Sequence, residues 1–143
     1  EIAYKKNIEM LGICLGMQLF FDNSEEFGYQ KGLGFIRGKV VNLNYNQDQK
    51  IITPNIGWLQ NTENRKKKIK LDKIKDFRID KYFYFVHSFH CVVEDKEAKI
   101  ITAKYENLEF TSIVTKKNLT GFQFHPENSG IDGLKIQKNW IDY

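Results

Sequence analysis

Cysteine is scarce in this chain: Cys14 and Cys91 are the only two in 143 residues. Two cysteines do not make a disulfide framework, and their scarcity fits a protein of the reducing cytoplasm. Proline is equally rare, Pro54 and Pro126 alone. With no Pro-rich linker, internal repeat or low-complexity stretch, the chain reads as a single domain. No apolar run approaches the roughly 20 residues that a membrane helix needs. Charge of one sign is missing too. The 22 basic and 18 acidic residues are interspersed, for a net charge of +4, whereas nucleic-acid binding calls for a concentrated basic stripe. The densest basic cluster, Arg65, Lys66, Lys67 and Lys68, is followed by Lys70, Asp72, Lys73, Lys75 and Asp76. That mixture reads as a solvated surface rather than a phosphate site.

Apolar and aromatic residues are present in the amounts a packed core requires, 41% and 14% of the chain. Residues 8–13 form a short apolar run that ends at a glycine-flanked turn, and 17–21 have the character of a following helix. Strand, sharp turn and helix in succession are the mark of an α/β domain. Beyond Gly32 the segments 39–43, 50–53, 82–93, 99–105, 110–115 and 120–125 are rich in Val, Ile, Thr, Phe and Tyr, with polar or turn residues between them. They read as closely spaced strands, and their short connections suggest an antiparallel meander. Helical spacing returns in 133–143, with Ile136, Trp140 and Tyr143 at i, i+4 and i+7.

Gly12-Ile13-Cys14-Leu15-Gly16 has the form Gly-x-Cys-x-Gly. It is the cysteine version of the nucleophile elbow, a strained strand-to-helix turn that lifts a nucleophile clear of a sheet. The glycines supply the missing side chains that so tight a turn needs. At a helix N-terminus the dipole favours thiolate over thiol, and the Leu15 N–H is placed to stabilise an oxyanion. The bland alternative is a small core cysteine between two packing glycines.

A thiolate mechanism needs a base, and the three histidines are the candidates. His125 stands in Phe122-Gln123-Phe124-His125-Pro126-Glu127. Pro126 biases His125 toward extended geometry, in which residues two apart project to one side and Glu127 can hold one imidazole nitrogen. His87 and His90 have no carboxylate at such spacing. The first reads as a packed structural histidine and the second as a surface residue, with Cys91 buried and inert in the same strand. Zinc is the rival use of these residues, but His87-x-x-His90-Cys91 matches no standard zinc spacing and there is no Cys-x-x-Cys pair. No metal or other cofactor is expected.

Gly12-Ile13-Cys14-Leu15-Gly16-Met17-Gln18 followed far downstream by Phe124-His125-Pro126-Glu127 resembles the class I, or triad, glutamine amidotransferases. Further runs narrow the resemblance: Ser24-Glu25-Glu26, Gly32-Leu33-Gly34, Pro54-Asn55-Ile56-Gly57-Trp58, Tyr84-Phe85-Val86-His87-Ser88-Phe89 and Gly121 through Gly130. Together they look like the glutaminase subunits of imidazole glycerol phosphate synthases, over essentially the whole chain. The resemblance implies a doubly wound α/β domain with a mainly parallel sheet and an added antiparallel β meander. It implies Cys14 as nucleophile, His125 as base and then acid, and Glu127 as orienter. Leu15 and Gln18 would contact the bound glutamine, Ser88 and Phe89 would hold its backbone groups, and Trp58 with its loop would face a cyclase or synthase subunit in a heterodimer. Such domains carry strand–helix units ahead of the elbow, with a Pro-Gly-Val-Gly-type loop that completes the oxyanion hole. Residues 1–143 therefore read as the C-terminal portion of the domain, its N-terminal strands missing. Asn55 and Asn128 stand where the biosynthetic enzymes usually have His and Lys or Arg. A glutaminase serving a sugar amidotransferase of surface-polysaccharide synthesis, and a non-catalytic binding module, are the alternatives.

Overall fold

The structure is a computed structural model and describes residues 1–62 and 80–142. The basic cluster at 65–68, its charged neighbours and Tyr143 lie outside the described residues. After a short helix α1 (Ile2–Lys5), strand β1 (Met10–Ile13) leads directly into the four-residue helix α2 (Leu15–Gln18). Then come β2 (Phe21–Ser24), β3 (Gln30–Lys31), β4 (Ile36–Asn42), β5 (Asn55–Thr62), β6 (Tyr82–His87) and β7 (Phe89–Val93). Strands β8 (Lys99–Tyr105), β9 (Leu108–Lys116) and β10 (Leu119–Phe122) follow, then a 3-10 turn at Pro126–Asn128 and the C-terminal helix α3 (Gly130–Ile141).

Two sheets result. One has the order β1-β10-β9-β8-β5-β6 and the other β3-β2-β4-β7. The fold is α/β with the antiparallel meander in place, but among the described residues the sheets are mixed rather than mainly parallel. Only the β1–β10 and β2–β4 ladders run parallel. Connection length decides this. β8 and β9 are separated by Glu106 and Asn107, and β9 and β10 by Lys117 and Asn118, gaps that only an antiparallel reversal can span. Glu106 and Lys117 adopt positive φ to close those reversals.

The two parallel strands carry the glycines that make room for α2. Gly12 and Gly121 lie opposite one another in the β1–β10 register. A Cβ on Gly12 would come within 2.5 Å of the Gly16 backbone, and one on Gly121 within 2.7 Å of Met17 Cγ. Two absent side chains thus let α2 sit directly on the sheet, with Met17 fully buried. Met17 joins Phe20, Phe21, Phe35, Ile36 and Val40 in one hydrophobic cluster. A second cluster gathers Phe83, Phe85, Phe110, Phe122 and Phe124 with Ile136 of α3. Phe124 is its hub, stacked on Phe83 at 4.5 Å and on Phe122 at 5.0 Å between centroids.

Four local expectations change. The helix after the elbow stops at Gln18, because Phe20 and Phe21 are drawn into the core and the Leu33 and Phe35 N–H groups bond back to the Leu19 and Phe20 carbonyls. The apolar run 82–93 is two strands in different sheets, broken at Ser88, whose carbonyl accepts from the Leu43 N–H. Residues 50–53 form no strand, since the Ile51 N–H and carbonyl are both taken up by the Asn44 side chain. The segment 54–58, read as a loop, opens strand β5.

Candidate active site

Cys14 occupies the joint between β1 and α2 with φ 50° and ψ −108°. A left-handed conformation at a non-glycine residue is strained, and such strain collects at functional sites. The joint is pinned by the Cys14 N–H, which donates to the Phe122 carbonyl at 2.7 Å, while the Cys14 carbonyl accepts from Met17 and Gln18. The elbow therefore leans on the end of β10, three residues ahead of His125.

His125 and Glu127 form a close pair, Nδ1 to Oε1 at 2.7 Å. A carboxylate accepts only, so Nδ1 carries the proton and Nε2 is the basic nitrogen. The route to this pairing differs from a simple extended segment. β10 ends at Phe122, His125 is extended at φ −99° and ψ 97°, and Pro126 then starts the 3-10 turn that swings Glu127 back under the ring. The turn is held against β6. The His125 N–H donates to the Tyr84 carbonyl at 2.9 Å, the Tyr84 N–H donates to Ser129 Oγ at 2.9 Å, and Ser129 Oγ donates to the His125 carbonyl at 2.6 Å. Gly133 allows this closure, since a Cβ there would come within 2.2 Å of the Pro126 carbonyl oxygen.

The Cys14 sulfur is bonded to the Val86 carbonyl at 3.9 Å and accepts from Gln123 Nε2 at 3.6 Å. Among the described residues no hydrogen bond joins it to the His125 ring. Burial pushes the thiol pKa up and outweighs the Leu15 N–H bond that pulls it down, while Glu26 and Glu127 push it up further. The helix dipole expected to favour thiolate has only the four residues of α2 behind it, too few to win against desolvation. The surroundings of the sulfur therefore favour thiol over thiolate.

Of the residues expected to meet substrate, Leu15 directs its N–H at the sulfur and leaves its side chain exposed. Gln18 is buried, with Nε2 donating to the Phe89 carbonyl at 3.1 Å and to Gln123 Oε1 at 3.2 Å. Ser88 and Phe89 stand at the β6–β7 break beside this group. Two further residues belong here that sequence reasoning gave no role, Gln123 and Ser129. Both fall in the Gly121–Gly130 run, but nothing in their local pattern signals a partner more than forty residues away.

His87 is the packed histidine expected. Its Nδ1–H donates to the Phe89 carbonyl at 2.9 Å, its Nε2 accepts from Asn55 Nδ2 at 3.0 Å, and the ring packs on Phe85 and Phe110. Burial lowers its pKa to about 4. His90 is not a surface residue. It is 5% exposed, opposite Val41 in the β4–β7 ladder, and burial brings it to about 4 as well. It lies with Val41 on the face of β7 opposite Cys91, and both faces of that strand are covered: Cys91 packs with Val40 and Val114, and His90 and Val41 are buried as well. Cys91 is buried, unpaired, and pushed well above the usual thiol range by desolvation. Among the described residues no group of three His, Cys, Asp or Glu side chains could hold a metal ion, and no helix is long and apolar enough to cross a membrane.

A strained cysteine turn thus lies over a mixed α/β sheet, with a His–Glu pair just past the end of the neighbouring strand. The model of the class-I glutamine amidotransferases matches residues 1–141, and the chain belongs to that family. Among curated proteins it is 46% identical, over 130 residues, to the imidazole glycerol phosphate synthase subunit HisH of Pyrococcus furiosus, covering 91% of this chain and 62% of that one. To the HisH 2 subunit of Methanococcus maripaludis it is 46% identical over 145 residues, covering 99% and 68%. The chain thus spans about two-thirds of the length of these relatives. Solved structures agree on the fold. The glutaminase domain of Trypanosoma brucei CTPS with bound acivicin matches with a TM-score of 0.62 at 18% identity, covering 99% of this chain and 63% of that one. A glutamine amidotransferase of Thermotoga maritima matches with 0.58, also at 18% identity, covering 99% and 49%.

Proposed function

We propose that the chain carries the reacting residues of a glutaminase, which hydrolyses glutamine to glutamate and ammonia through a thioester on Cys14. The observation that carries this reading is the strained elbow at Cys14, bonded through its N–H to the strand that ends at the His125–Glu127 pair. His125 Nε2 takes the thiol proton and the sulfur attacks the side-chain amide carbon of glutamine. The negative charge that develops on the carbonyl oxygen meets the Leu15 N–H. Collapse expels ammonia, protonated by the imidazolium, and leaves the thioester. Water, deprotonated by the same nitrogen, then releases glutamate and restores the thiol. Glu127 keeps Nδ1 protonated and Nε2 basic throughout. Glu26, close enough to act on the Cys14 sulfur, is a suitable counter-charge for the α-ammonium group of the substrate.

Similarity to the HisH subunits supports a biosynthetic role, with ammonia delivered to a cyclase subunit that forms imidazole glycerol phosphate in the cytoplasm. The outer face of the β5–β6 pair is the candidate docking side, where exposed Ile56 and Trp58 stand opposite Val86 and Tyr84. The test is covalent. An electrophilic glutamine analogue is expected to label Cys14 and not Cys91 by peptide mapping, and Cys14→Ala is expected to abolish ammonia release. A label on Cys91, or hydrolysis surviving in Cys14→Ala, would overturn the reading.

A further inference from the structure

A buried polar chain runs under the nucleophile and ends on its sulfur. It begins at the Phe89 carbonyl, which accepts from the His87 Nδ1–H and from Gln18 Nε2. A carbonyl can only accept, so the amide of Gln18 must present its nitrogen there. The second hydrogen of that nitrogen goes to Gln123, which must therefore present its oxygen, Oε1, at 3.2 Å. Once Oε1 is committed to Gln18, the only end of the Gln123 amide left for Cys14 is the donor, and Nε2 lies 3.6 Å from the sulfur. The orientation of both amides follows from one backbone oxygen. Gln123 is fully buried and Gln18 nearly so, and water has little access with which to compete for these bonds. Gln123 follows the end of β10, its N–H tied to the Ser112 carbonyl at 2.8 Å, which fixes the base of its side chain.

We propose that Gln123 is a positioning residue for the nucleophile, donating a hydrogen bond to the Cys14 sulfur, and that Gln18 holds its amide in the donor orientation. A donor aimed at sulfur favours thiolate over thiol, because a hydrogen bond to an ion is stronger than one to the neutral group. It also restricts the rotation of the Cys14 side chain, aiming the sulfur in a site where burial alone disfavours the charge. Gln18 thereby acts through Gln123. This inference rests on the assignment of Cys14 as the reacting group for its consequence, but not for its test.

The measurement is the rate of Cys14 alkylation by iodoacetamide against pH on the full chain, with Cys14 and Cys91 separated by mass spectrometry. Buried Cys91 serves as the control for folding, because it is alkylated only if the variant opens. Gln123→Met keeps the volume and removes the donor. Its alkylation midpoint is expected to move to higher pH, with the rate near neutrality down about tenfold and the high-pH plateau unchanged. Gln18→Met leaves Gln123 in place but frees its amide to turn, and a smaller shift in the same direction is expected. A folded Gln123→Met protein with the wild-type profile would overturn the proposal. If that variant exposes Cys91, the wild type decides: the side-chain NH2 resonances of Gln123 should titrate with Cys14, and that titration should vanish in Cys14→Ser. Resonances that ignore Cys14 ionisation would refute it. Iodoacetamide reports on the sulfur whether or not glutamine is hydrolysed, so failure of the glutaminase assignment and failure of this inference are separate outcomes.

Discussion

At the level of single residues, the two glycines of the elbow are not equivalent, although the motif presents them symmetrically. Gly12 faces the Gly16 backbone with no room for a Cβ, whereas a Cβ on Gly16 meets nothing within 4 Å. Gly12→Ala is therefore expected to displace α2 and to suppress Cys14 alkylation together with a loss of several kcal/mol, since backbone rather than a movable side chain must yield. Gly16→Ala is expected to leave thermal stability intact or to raise it by up to about 1 kcal/mol, as helical Gly→Ala changes do. Melting curves of the two variants side by side check this. The same scale shows what the sequence could and could not reveal. The strained turn at Cys14 and the His125–Glu127 pair are legible because their neighbours along the chain, two glycines and a proline, are themselves unusual. Gln123 and Ser129 are silent because what identifies them lies on other strands. His90 misleads because both faces of β7 are buried, so that alternation sends neither Cys91 nor His90 to solvent, and the run 82–93 conceals that the strand changes sheets at Ser88.

At the level of elements, the His125 turn depends on β6 more than on the strand that leads into it. Ser129 links the two by accepting from the Tyr84 N–H and donating to the His125 carbonyl. Ser129→Ala leaves a partly buried N–H without its acceptor, a change that typically costs about 1–3 kcal/mol. The expected signature is a modest fall in melting temperature with a larger fall in kcat than in substrate affinity, because the loosened turn carries His125, the proposed base. A variant with unchanged kcat would show that Pro126 alone fixes the turn. Strand β5 poses the complementary question. Trp58 is 50% exposed and packs edge-on against Tyr84, 5.9 Å between centroids. Its exposed face is thus a surface rather than core feature. Trp58→Ala is expected to change stability by less than about 1 kcal/mol. On the proposed function it is expected to leave basal glutamine hydrolysis nearly unchanged while sharply reducing stimulation by the proposed cyclase partner. Ammonia release with and without that partner measures it.

For the whole molecule, the buried titratable groups dictate how stability follows pH. His87 and His90 have folded pKa values near 4 against an ordinary value of 6.5. The unfolded chain therefore binds protons between pH 6.5 and 4 that the folded protein refuses, and stability rises with pH across that window. Both contributions are fully present above about pH 6.5 and are lost as pH falls toward 4, each with a slope of up to about 1.4 kcal/mol per pH unit. Asp95 extends the decline. Its bond to Lys116 at 2.7 Å, aided by the Arg37 and Glu97 N–H groups, holds its pKa near 2 instead of 3.8. That stabilisation is present above pH 4 and lost between about 4 and 2. The Lys116 amine also donates to the Phe35 carbonyl, so the pair ties β9 to the loop that enters β4. The acid arm should therefore have two segments with different owners. His90→Leu is expected to flatten the segment from pH 6.5 to 4 by about half, as one of two buried imidazoles is removed, and to leave the lower segment unchanged. Lys116→Met is expected to do the reverse, reducing the Asp95 contribution below pH 4 to what the Arg37 and Glu97 N–H bonds supply. Urea midpoints at half-unit intervals from pH 7.5 downward resolve the two. A His90→Leu profile parallel to the wild type would mean that His90 reaches water, and that the face of β7 it shares with Val41 is more open than its burial implies.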